Sequence, residues 1–206
     1  MNGEMATPAK PVRKMLQAAE AQTRILEAVD ELFYREGARA VSVDEVVKRA
    51  GVNKMSVYRQ FHSKEDLMLH YLARRDQRFW HYINVSLAKH PDRPGAQLRQ
   101  LFADLAQRTT QPNYRGCPFV NIACEFPDPT HPARRAVAQN KRQLIQRLRE
   151  LTAQAGARDA RMLADGLAIL IEGAYAASQT YSPDDSPLSG LPQVADTLLR
   201  AAGVND

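Results

Sequence analysis

Ser42 to Lys64 reads SVDEVVKRAGVNKMSVYRQFHSK, and this stretch decides the fold. Ser42 and Glu45 stand at the spacing of a capping box, in which a serine hydroxyl and a glutamate three residues on satisfy each other's backbone amides and start a helix. Val43, Val46, Val47 and Ala50 supply its apolar stripe, and Gly51 ends it. Asn53 is placed to cap a second helix whose inner side is Val57 and Phe61 and whose outer side is Lys54, Met55, Ser56, Tyr58 and Arg59. Ser63 with Asp66 marks a further helix start, which leaves the second helix about two turns. Two short helices about a glycine turn make a helix-turn-helix.

Charge points to its partner. Lys48, Arg49, Lys54, Arg59 and Lys64 lie between Val46 and Lys64 with no acid among them, and the whole chain balances at +5, so the remaining residues sum to zero. A solvated helical face ordinarily mixes signs, as Glu27, Asp30 and Glu31 do with Arg24 and Arg35 one helix earlier. A one-signed stripe repels itself and is best explained by a polyanion, here DNA.

The longer stretch from Ile25 to Leu72, ILEAVDELFYREGARAVSVDEVVKRAGVNKMSVYRQFHSKEDLMLHYL, resembles the N-terminal DNA-binding domain of the tetracycline-repressor (TetR) family. The capping serines, Gly37, Gly51, Tyr58, Phe61 and Lys64 fall at that family's spacings. The resemblance covers about a quarter of the chain. Met55 departs from it, standing where the family commonly has glycine or a small residue, so base preference does not transfer from relatives.

The rest of the chain reads as helices. A first helix carries Ile25, Val29, Leu32 and Phe33 and closes at Gly37. From Lys64 an amphipathic helix runs to the break at His90-Pro91, followed by helices over Ala96 to Thr109, Pro118 to Phe126, Pro132 to about Ala155, and Ala160 to Tyr181, then a last one with Leu188, Leu191, Val194, Leu198 and Leu199. No stretch alternates like a strand, so the fold class is all-α: a three-helix DNA-binding domain with a larger C-terminal helical domain. The expected boundaries are a disordered basic arm over 1–17, the helix-turn-helix domain over 18–64, and the effector-binding and dimerisation domain over 65–206. The arm, with Lys10, Arg13 and Lys14, is either an idle tail or a reach for further phosphates.

Composition bounds the function. A chain of 206 residues, 44% hydrophobic and 25% charged, buries one good core or a small and a larger one. No apolar run approaches the ~18–20 residues that cross a bilayer, and no secretory leader is evident, so the expectation is a cytoplasmic protein with no membrane partner. Cys117 and Cys124 lack ligand-spaced partners and, on one helix, stand about 10 Å apart, so neither metal, cofactor nor disulfide is expected. An enzyme using Cys117 with His131 lacks an orienting third group, a phosphate loop and a metal set, and is set aside.

The Ala160 to Tyr181 helix is apolar nearly all round, interrupted by Gly166, Ala168, Gly173, Ala176 and Ala177. Such a helix must be covered on every side. Leu163, Leu167, Leu170 and Ala174, with Val194 and Leu198 of the last helix, are therefore read as a homodimer interface, two helices from each subunit forming a four-helix bundle; the alternative is the core of a monomer. A two-fold dimer presents two recognition helices to successive major grooves about 34 Å apart, which makes the operator an inverted repeat in double-stranded DNA. Asn53 and Lys54 face phosphate or base edges; Met55, Ser56 and Arg59 read bases; Ser42, Tyr58, His62 and Lys64 clamp the backbone, with core packing an open alternative for Tyr58.

The resemblance further implies a small-molecule pocket among the middle helices, whose occupancy alters the spacing of the two reading heads. Candidate walls are Phe79, Ile83, Phe102, Leu105, Phe119, Ile122, Ile171 and Tyr175, with Trp80, Asn121 and Glu172 as polar handles. Glu172 in an apolar helix needs a partner: a ligand, or an arginine of the other subunit. Arg115 to Asn121, RGCPFVN, resembles a segment found in part of the same family; Cys117 there is either an electrophile-sensing thiol or an unreactive packing residue. The whole reading is a homodimeric repressor released by a small organic effector. The alternative is an effector-independent architectural DNA binder.

Overall fold

The computed structural model describes the backbone of residues 10–205, with side chains from Gln17 onward except that of Pro183. The described residues form helices and contain no strand. Contacts divide the chain into two compact units, Met1–Tyr71 and Leu72–Asp206.

The first unit holds α1 (Lys10–Glu36), α2 (Val43–Ala50), α3 (Lys54–Tyr58) and the opening turns of α4 (Lys64–Ala88). Of the arm expected over 1–17, residues 1–9 lie outside the described residues, and α1 takes in the remainder. The reason is propensity: KPVRKMLQ is mostly good helix formers, and a proline in the first turn removes no intrahelical bond. Ile25, Ala28, Val29 and Phe33 of α1 are buried together with Val46, Val57 and Phe61, while Leu32 is only half-buried. The unit runs past the boundary expected at Lys64, because Leu67, Met68 and Tyr71 on the inner face of α4 complete its core; Tyr71 meets Phe33 edge-on at 5.7 Å.

The second unit comprises the rest of α4 and α5 (Pro94–Thr109), α6 (Pro118–Glu125), α7 (Pro132–Gln154), α8 (Ala160–Thr180) and α9 (Leu191–Ala201), with single 3-10 turns at Pro183–Asp185 and Pro187–Gly190. Prolines open α5, α6 and α7, where the missing N–H has no intrahelical partner to lose; this is why α5 starts at Pro94, two residues ahead of the expected Ala96. α8 packs along α7 and also against α5 and α9.

This packing corrects the reading of α8. Leu163, Leu167 and Ala174, expected at a subunit interface, are buried inside their own unit. Its neighbours cover one side of the helix, and that side holds these residues, spaced at i, i+4 and i+11. The large apolar residues left outside are Met162 and Ile169, each 73% exposed, with Val194 and Leu198 of α9; Leu170 lies at the margin.

Candidate nucleic-acid interface and effector unit

The helix-turn-helix is built by the local rules its sequence carries. Ser42 Oγ accepts from Glu45 N at 3.2 Å while Ser42 N donates to Glu45 Oε2 at 2.6 Å, closing the capping box. The Ser42 backbone amide, and then its hydroxyl, hold the Glu45 carboxyl below its ordinary value. Gly51 takes φ +65° at the end of α2, a left-handed turn that a side chain would strain, and returns its N–H to Lys48 and Val47 carbonyls. Asn53 Oδ1 caps α3, accepting from Ser56 N at 2.8 Å and from Ser56 Oγ at 3.0 Å.

α3 is five residues long, with Val57 as its buried anchor. Outside it stand Met55, 62% exposed, Tyr58, 45% exposed, and Arg59. That exposure removes the core alternative for Tyr58. Asn53 and Ser56 spend polar atoms on each other, and Ser42 on Glu45, so these three shape the motif. His62 is exposed at its side chain, and its backbone N–H is taken by Asp66 Oδ2 at 2.9 Å.

Three-dimensional pairing thins the one-signed stripe. Arg49 pairs with Glu31 of α1, and Lys54 Nζ lies 2.8 Å from Asp44, whose hydrogen bond and charge raise the lysine's pKa. Both acids sit outside the Val46 to Lys64 window, where a linear count misses them. Lys64 Nζ donates to the Arg39 carbonyl at 2.9 Å, tying the start of α4 to the turn after α1. Lys48 and Arg59 are exposed and make no ion pair among the described residues, which leaves them the cations open to a polyanion.

In the second unit the residues expected to line a pocket separate into groups. Phe79, Ile83, Phe102, Leu105, Phe119, Ile122, Ile171 and Tyr175 are buried, and Phe79 and Phe119 meet edge-on at 6.5 Å. Trp80 instead lines an open groove of about 520 Å³ against α7 residues Gln139, Arg142, Gln143 and Gln146. Asn121 is not a free handle: its Nδ2 donates to the Arg115 carbonyl at 2.8 Å and closes the RGCPFVN turn. Glu172 finds its partner within the chain, as Lys141 Nζ of α7 donates to its Oε1, so the partner-arginine reading is replaced. Cys117 is the buried N-cap of α6, and Lys141 Nζ approaches its Sγ at 3.7 Å.

A polar group that sequence reasoning missed sits beside these residues. The Arg108 guanidinium of α5 lies 3.8 Å over the Tyr82 ring of α4 and 5.8 Å from the Tyr114 ring, with the Tyr175 phenol of α8 beside it. Burial pushes the Tyr82 phenol up to about 12 against the pull of Arg108, and burial first, then Cys117 and Tyr114, hold Tyr175 well above the phenol range. Arg108 follows Leu105 by one helical turn on the same face, a signal the sequence offered.

The chain matches the family model for the TetR family of bacterial regulatory proteins over residues 25–71 and the tetracyclin repressor-like C-terminal domain over 94–188. A TetR-family transcriptional regulator of Streptomyces coelicolor superposes with TM-score 0.84 at 30% identity, covering 89% of this chain and 96% of that one. A putative TetR-type regulator of Streptomyces avermitilis gives TM-score 0.78 at 30% identity over 90% and 99% of the two chains. An uncharacterized HTH-type transcriptional regulator of Mycobacterium tuberculosis is 34% identical over 68 residues, 33% of this chain, and the match spans only about a third of that relative's length. With both domain models matched in order and the fold shared along nearly its whole length, the chain belongs to the TetR family of bacterial DNA-binding transcriptional regulators.

Proposed function

We propose that the protein is a homodimeric repressor, acting in the cytoplasm, that binds an inverted-repeat operator through α3 and is released by a small organic effector held in the second unit. The observation that carries this reading is the capped α2-turn-α3 motif, whose outer side leaves Lys48, Met55, Tyr58 and Arg59 to solvent while Val46, Val57 and Phe61 hold it to its core. Met55 and Arg59 are its base readers, Arg59 preferring guanine; Lys48, Tyr58 and His62 contact phosphates. Lys54, Lys64, Ser42, Asn53 and Ser56 set the geometry of the motif and reach the backbone only with donors left over from their internal bonds.

The open apolar face of Met162, Ile169, Val194 and Leu198 supports the dimer. Large exposed apolar side chains on two adjacent helices, Met162 and Leu198 lying with Gly166 in one groove, suit close approach of a second copy, and two copies of α8 and α9 make a four-helix bundle. An effector acts by favouring one spacing of the two α3 helices over the other by a few kcal/mol.

Selection of bound duplexes from a random pool tests the proposal. An enriched palindrome with half-sites about one helical turn apart supports it. Recovery of duplexes without shared sequence or symmetry replaces it with an architectural binder.

A further inference from the structure

Among the described residues, the largely buried cation between α4, α5 and α8 has no counter-ion. Arg108 is largely buried, yet its partners are the phenols of Tyr82, Tyr114 and Tyr175, and no carboxylate pairs with it among the described residues. Asp104, one turn earlier on α5, is occupied by Lys89 at 2.8 Å, Ser86 at 2.7 Å and Gln100 at 2.7 Å. Glu172 is held by Lys141. Removing a guanidinium from water without an anion is costly, and neutral phenols return only part of that cost.

Two further atoms point the same way. Among the described residues buried Arg108 Nε has no hydrogen-bond partner, and the buried Tyr82 hydroxyl stacked beside it has only the Ser86 hydroxyl near it, which is already committed to Asp104. Buried donors left open in this way call for an acceptor that is not part of the chain. A carboxylate offers two oxygens, enough to take the Nε–H and the phenolic O–H together and to neutralise the charge. One helical turn before Arg108 and Tyr82 stand Leu105 and Phe79, both buried; because α4 and α5 run antiparallel, with Ser86 meeting Asp104 as Tyr82 meets Arg108, they flank the cation on opposite sides with apolar surface.

We infer that the effector is an organic acid, its carboxylate held by Arg108 and the Tyr82 hydroxyl and its apolar body directed toward Leu105. The inference rests on the proposal that the second unit holds an effector, and names that effector's chemical class. The guanidinium stays charged at every accessible pH, so discrimination against neutral analogues of the same shape comes from the charge and the two hydrogen bonds rather than from fit.

The test uses the full-length protein with benzoate, phenylacetate and hexanoate, each beside its neutral amide. Binding is read by calorimetry, and release by anisotropy of a labelled duplex taken from the random-pool selection. The expected result is binding of at least one acid ten-fold or more tighter than its amide, with loss of that preference in Arg108→Gln. Tyr82→Phe, which removes only the open hydroxyl, lowers the acid's affinity several-fold and leaves the amide's unchanged. Arg108→Lys, keeping charge without the planar fork, guards against a folding artefact and retains part of the preference; duplex affinity without ligand stays as in the parent in all three variants. Amides binding as well as acids, an acid preference that survives Arg108→Gln, or no binding by any of the three acids overturns the inference. A neutral compound that frees the duplex would overturn it while leaving the effector proposal standing, whereas duplex binding insensitive to acids, amides and a wider neutral library sinks the effector proposal itself.

Discussion

Lys48 and Arg59 carry different burdens although each is an exposed cation near α3. Arg59 stands at the C-cap of the recognition helix, where a guanidinium that reaches the groove floor forks onto guanine. Arg59→Ala is expected to flatten discrimination at one base position of each half-site by ~1–3 kcal/mol, and changes at Met55 to alter which bases are preferred. Lys48→Ala instead lowers affinity for every duplex alike and reduces the slope of log affinity against log salt by ~1 per subunit. Anisotropy titrations on the operator and a scrambled duplex at several salt concentrations separate the two; equal sequence-independent losses would contradict the assigned roles. Lys64 is a poorer probe, because its bond to the Arg39 carbonyl mixes local stability into any loss of DNA affinity.

Helices in the second unit are held by polar ties as well as apolar faces. Asp104 on α5 gathers Ser86 of α4, Lys89 of the turn that follows it and Gln100 of its own helix. Burial alone would raise its pKa, but the bonds from Lys89, Ser86 and Gln100 together bring it below the ordinary 3.8. A depressed carboxylate contributes stability that is full above its unfolded pKa and disappears as pH falls through the folded one. Urea unfolding between pH 6 and pH 2.5 should therefore show the parent losing stability below about pH 4 more steeply than Asp104→Asn, and identical pH profiles would remove Asp104 as the cause. α8 allows a sharper contrast. Ile169→Arg is expected to leave helicity intact and halve the mass seen by light scattering, whereas Leu167→Ala, which empties a buried site, costs ~2–5 kcal/mol of stability. A dimer persisting in Ile169→Arg would move the interface elsewhere.

At the scale of the whole molecule, dimerisation and stability become one measurement. If α8 and α9 join two copies, the folded state gains about 1.4 kcal/mol for each tenfold rise in concentration, and the melting temperature climbs with it. A melting temperature independent of concentration over two decades would speak for a monomer.

Much of this architecture was legible in the chain. The Ser42/Glu45 capping pair, the Asn53 cap, the turn at Gly51 and the prolines opening α6 and α7 act within a few residues, so their spacing alone marked those helix ends and the helix-turn-helix, whereas Pro94, read as part of a turn, proved to open α5. Tertiary structure decided what side chains do across distance. It neutralised Arg49 and Lys54 with Glu31 and Asp44, moved Leu163, Leu167 and Ala174 from an expected interface into the core, gave Glu172 to Lys141, and gathered Tyr82, Tyr114 and Tyr175 around Arg108. Capping is a contest between neighbours on the chain, whereas burial and pairing depend on which helical faces meet, and periodicity gives a face without naming its partner.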